Sequence, residues 1–193
     1  MKKSLFYLLV FGLIHTTSAQ FGVFSSYASA KGKISGDGIT IAPEEASGSF
    51  GLGLFLDLQL GEKVDLQPYI AYGIGEKVED ESNNAIGFGG NVDYYLGGRT
   101  ASIFLRGGLG IGIALADVDT NIVKKSATSA NLGLGIDLSD TVTLVGSYGT
   151  QLSNSSNLED IDISASGIEL QLQIKFGKPQ PRKRPGTRRY IKL

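Results

Sequence analysis

The sequence contains no cysteine, no tryptophan, one methionine and one histidine in 193 residues. The lack of thiols removes any disulfide framework and any thiolate nucleophile, and it suits export into an oxidising compartment. The single histidine, His15, lies in a segment that reads as a removable leader. Lys2 and Lys3 precede an apolar stretch over residues 5–14 broken only by Gly12, and Thr17-Ser18-Ala19 supplies small residues for cleavage before Gln20. Ten apolar residues are too few to cross a bilayer as a helix, and no cysteine is present at the cleavage site for lipidation. The expected mature chain, starting at Gln20, therefore has neither His nor Cys. That excludes Ser–His and Cys–His nucleophile pairs, histidine general bases and the usual zinc sites. No metal and no cofactor is expected.

Charge is unevenly placed. Residues 177–193 hold seven bases (Lys178, Arg182, Lys183, Arg184, Arg188, Arg189, Lys192) and no acid, together with Pro179, Pro181 and Pro185. With Lys2 and Lys3 in the leader, residues 20–176 keep nine bases against all nineteen acids, a net of −10. An acidic body thus carries a basic tail, which the overall charge of −1 conceals.

Glycine is abundant, at 27 residues, and falls within a period-two pattern. Over 50–60 every even position is apolar (Phe50, Leu52, Leu54, Leu56, Leu58, Leu60), while the odd positions are Gly51, Gly53, Phe55, Asp57 and Gln59. The alternation resumes over 64–74, 86–96, 103–115, 130–138 and 142–148, with a less regular strand over 21–31 and a final one over 168–176. Eight strands result. Short turns at 61–63, 97–100 and 139–141 alternate with long polar connections near 32–47, 75–85, 116–128 and 151–163. Tight turns at one end and long loops at the other predict an all-β, eight-stranded, antiparallel up-and-down transmembrane barrel. A soluble barrel or sandwich would present its second face to water. Here that face is glycine toward the long loops and Asp, Gln, Arg or Lys toward the turns, which suits a lumen better.

The last strand sets Ile168, Leu170, Leu172, Ile174 and Phe176 against Glu169, Gln171, Gln173 and Lys175. Such a strand, closing on an aromatic residue, resembles the assembly signal of Gram-negative outer-membrane barrels. With the leader and the strand count, residues 20–176 resemble the small eight-stranded family typified by the membrane domain of outer membrane protein A. The resemblance implies the cell outer membrane as location, with outer-membrane lipid, lipopolysaccharide and the barrel assembly machinery as partners. It also implies a structural or surface-loop binding role without enzymatic activity, because enzymes of this class rely on a catalytic histidine that the mature chain lacks. The alternative is a narrow channel or a small-ligand-binding barrel.

The expected lumen ion network is Asp57, Asp93, Arg106, Asp137, Glu169 and Lys175, with Arg106 facing carboxylates across the barrel. The lumen glycines leave two readings open: close strand approach in a tight barrel, or a blind cavity above the Arg106 layer. The acidic loops, with Glu76, Glu79, Asp80 and Glu81 in one and Glu159, Asp160 and Asp162 in another, read as a solvated rim or as a contact for cations or basic partners. For the tail, the readings are disorder or contact with peptidoglycan or a periplasmic protein. Nucleic acid is not expected.

Overall fold

Side chains alternate sides along a strand, so one period-two sequence has one apolar and one polar face, and closing the sheet decides which face is inside. The computed structural model describes residues 19–36, 39–41, 46–76, 83–97, 102–115, 123–158 and 160–177. Its strands are β1 (Ala19–Gly36), β2 (Ile39–Ile41), β3 (Ser47–Gln59), β4 (Val64–Gly75), β5 (Asn84–Tyr95), β6 (Ile103–Ala114), β7 (Ser126–Asp137), β8 (Val142–Gln151) and β9 (Asp162–Phe176). From β3 to β9 each strand pairs antiparallel with the next, and β1 pairs with both β3 and β9, so β1 and β3–β9 close an eight-stranded barrel. The short β2 is a ninth element that the period-two pattern does not reveal; it continues the β3 side of the sheet by pairing with residues 34–36 of β1.

The closed sheet is inside out relative to a soluble barrel. Leu132, Ile168 and Leu109 are 74, 67 and 64 % exposed, whereas Asp93, Asp57, Gln67 and Gln173 are at most 1 % exposed. Outward residues from Phe50 to Leu60 span ten strand steps of about 3.3 Å, which at a tilt of about 40° gives an apolar band roughly 25 Å tall. Phe21 and Phe176 stack at 6.3 Å across the β1–β9 closure near its turn end. Turn ends are tightly bonded: Leu60 N donates to Val64 O at 2.9 Å, Leu138 N to Val142 O at 2.9 Å, and the Ser139 hydroxyl accepts from Val142 N at 3.0 Å. The β3–β4 ladder skips the positions around Pro68, which has no N–H to give.

At the opposite end two strands run longer than the alternation suggests. Strand β1 reaches Gly36 and β9 begins at Asp162, paired as far as Ser35 with Asp162. They rise as a ribbon beyond the apolar band, and the expected loops 32–47 and 151–163 are correspondingly shorter. Ser155 and Ser156 pair with residues 123–124: Lys124 N donates to Ser155 O at 2.7 Å, and Val123 bridges to Ser156. Asn154 staples this loop, its Oδ1 accepting from Ser156 N (2.7 Å) and Ile163 N (3.0 Å) while its Nδ2 donates to Ile161 O (2.9 Å).

Ala19 opens β1, whereas the rest of the expected leader, residues 1–18, lies outside the described residues. So do the basic tail over 178–193 and Glu79, Asp80, Glu81 and Glu159 of the acidic rim.

Candidate functional site

The lumen is the chemically distinctive part of the molecule, and it has two storeys. The lower storey, toward the turns, is packed. Arg106 on β6 donates from Nε and Nη2 to the two oxygens of Asp93, each at 2.7 Å, so the pair is bidentate and fully buried. Its Nη2 also donates to Gln67 Oε1 at 2.6 Å and its Nη1 to Gln171 Oε1 at 2.8 Å. Gln173 Nε2 donates to Gln171 Oε1 at 2.7 Å, and the guanidinium lies 5.6 Å from the centre of the Phe104 ring.

A second group involves Lys175, whose Nζ stands 2.7 Å from Asp57 Oδ2 and 3.9 Å from Asp137 Oδ1. Asp137 also accepts from Tyr95 Oη (3.1 Å) and Thr143 Oγ1 (2.6 Å). Tyr95, Phe104 and Val145 form the buried apolar cluster beside it.

Apart from Glu169, the residues of the expected lumen network thus fall into two groups. Asp93 is the cross-strand neighbour of Arg106 rather than a partner from the far wall, and the groups reaching it from farther off are the neutral Gln67 and Gln171. A guanidinium with four bonds already made has no need of Asp57 or Asp137, which Lys175 takes instead. Glu169 joins neither group: among the described residues it makes no hydrogen bond or ion pair, and it faces a cavity above.

That cavity is the upper storey, about 310 Å³, lined by Ser26, Asn91, Ser129, Asn131, Ser147 and Glu169 among others, with Arg106 and Gln171 at its floor. Glycine arrangement explains both storeys. Phe24 pairs with Gly53, Phe55 with Gly22, Tyr69 with Gly89 and Phe104 with Gly135; in each pair the ring lies where a Cβ on the glycine would be. Asn91 and Asn131 share Gly108 in the same way. These glycines are seats for large neighbours, which is how a narrow barrel holds aromatic rings inside. Higher up small faces small: Gly51 with Gly73, Ala71 with Gly87, and Gly87 with Gly112. A Cβ at Gly112 would meet nothing within 4 Å, and at Gly73 or Gly87 the nearest atom is 3.9 Å away. The upper glycines thus border a cavity above the Arg106 layer, while the lower ones seat large side chains, a role neither open reading named.

The aromatic seats and the small-on-small rungs were not singled out from the sequence. Their signal is register: an inward aromatic opposite an inward glycine packs, and two inward small residues leave a void.

Ile168, Leu170, Leu172, Ile174 and Phe176 all point outward along β9 and are exposed.

No family model and no curated protein matches the sequence. Solved structures do match. Neisserial surface protein A (NspA) is 13 % identical with a TM-score of 0.52, the alignment covering 82 % of this chain and 99 % of that one. This chain has the fold of the small eight-stranded outer-membrane β-barrels. The N-terminal β-barrel domain of Pseudomonas aeruginosa OprF aligns at 12 % identity and TM-score 0.49 over 82 % of this chain and 100 % of that one. The outer membrane enzyme PagL aligns at 16 % identity and TM-score 0.49 over 77 % and 98 %. At such identities the likeness concerns architecture, and activity has to be argued from the chain's own residues.

Proposed function

We propose that this protein is a non-enzymatic barrel of the bacterial outer membrane, closed to solutes, that acts as a structural or binding element through its loop end. The observation carrying this reading is the lower lumen. In an eight-stranded barrel the interior is about as wide as its own side chains, and here Arg106, Asp93, Gln67, Gln171, Gln173, Lys175 and Asp57 fill it with mutual bonds. Such a floor favours a sealed barrel over the narrow-channel alternative. The apolar band supports residence in lipid, with lipopolysaccharide beside its outer half. The loop-end ribbon of β1 and β9, with the Asn154-stapled loop beside it, offers an ordered surface rather than a bare rim. In this reading residues 1–19 direct export, the outward row of β9 ending in Phe176 is recognised by the assembly machinery, and the basic tail over 177–193 faces the periplasm, available to peptidoglycan or a periplasmic protein.

The test is fractionation of cells expressing the full chain, followed by unheated and boiled gel electrophoresis. Recovery with outer membranes and a heat-modifiable band are expected. Recovery in the soluble periplasmic fraction would overturn the proposal.

A further inference from the structure

The cavity above the floor has an imbalance of a specific kind: a carboxylate without a bonded counter-charge, among hydroxyls and amides that carry none. Among the described lumen residues, five carboxylates (Asp57, Asp65, Asp93, Asp137, Glu169) face two bases (Arg106, Lys175), and both bases are engaged below by aspartates. Glu169 is half-buried on β9, set between Ala28 of β1 and Ser147 of β8, and makes no hydrogen bond or ion pair among the described residues. Asn131 Oδ1, on the same cavity, is buried and receives no hydrogen bond. Arg106 does not make the cavity an anion site, because its Nε, Nη1 and Nη2 are committed to Asp93, Gln171 and Gln67.

We infer that the upper lumen is a binding site for a small organic ammonium ion. An ammonium group brings three donors and a positive charge, which answers Glu169, the Asn131 carbonyl and the hydroxyls of Ser26, Ser129 or Ser147 at once. Phe24 and Tyr69, packed edge to face at 6.1 Å, add aromatic surface in the cavity wall, which favours a cation further. A divalent metal is a poorer match, since hard cations gather several carboxylate oxygens and Glu169 stands apart from the aspartate floor. The volume of about 310 Å³ corresponds to roughly ten waters, room for one small amine with some of its hydration.

The site deepens the sealed-barrel proposal and rests on it, because a solute pore would hold no ligand above a floor. The experiment is titration calorimetry on the full-length protein folded in an uncharged polyoxyethylene detergent, with n-propylammonium, n-propanol and propanoate as probes. Saturable heat is expected from n-propylammonium alone. Glu169→Gln is expected to weaken it at least tenfold, and Gly112→Leu, which fills the cavity from a point with open space, to abolish it. Lack of saturable binding, equal binding of n-propanol, or unchanged binding by either variant would overturn the assignment. Gel heat-modifiability of every sample reports the barrel separately, so a negative titration on a folded barrel rejects the site alone.

Discussion

The residue on which most of the lower lumen converges is Arg106. Truncating it leaves Asp93, which is fully buried, without its bonded counter-charge and removes donors from Gln67 and Gln171. Breaking such a pair from one side costs about 3–5 kcal/mol, so Arg106→Ala is expected to lower the urea midpoint of folding in vesicles by a corresponding amount. A variant as stable as the parent would show that the guanidinium is not holding the floor. The glycines give a paired prediction. At Gly135 an added methyl meets the buried Phe104 ring, and Gly135→Ala should cost about 1–3 kcal/mol through overpacking. Gly112→Ala, with nothing within 4 Å, should change stability little. Which residues face the lumen was legible from parity alone, since Arg106, Asp93 and Lys175 occupy the non-apolar positions of their strands. Their partners were not legible, because pairing depends on strand order, register and side-chain reach. Gln171 shows the difference: by parity it is one polar lumen residue among several, yet in the folded barrel it accepts from both Arg106 and Gln173.

For the strands, the distinction between faces has an energetic consequence. Leu54 on β3 and Leu134 on β7 are 46 and 58 % exposed, in the middle of the apolar band. Arginine at either site is expected to cost about 2–4 kcal/mol in lipid, whereas Ser129→Thr, on the cavity wall, should fall well below that. Folding titrations in phospholipid vesicles compare them, and equal tolerance would contradict the assignment of outside to lipid. The barrel strands all end by Phe176, so removal of residues 178–193 is expected to leave a foldable, heat-modifiable barrel; failure of the truncated chain to fold in vitro would place the tail within the fold. Strand existence was readable because period two is sustained by Leu, Ile and Phe over most strands. It faded at the loop ends, where β1 continues through Lys31, Gly32, Lys33 and Ile34 and β9 begins through Ser164, Ala165 and Ser166. Outside an apolar solvent neither face has to be greasy, so the ladder persists by hydrogen bonding without leaving an alternating pattern.

At the scale of the whole molecule the design is an apolar exterior around a polar interior whose lower half is locked and whose upper half is hollow. The bonds of Arg106 and Lys175 reach side chains on strands β3, β4, β5, β7 and β9, so the floor ties walls that share no ladder, such as β6 to β9 and β9 to β3. Closure of the lumen is therefore built into the same contacts that hold the cylinder together. The most direct measurement is osmotic swelling of liposomes containing the full-length protein, with arabinose as the test solute. The sealed floor predicts swelling indistinguishable from protein-free liposomes, while swelling at the rate of a general porin would contradict it.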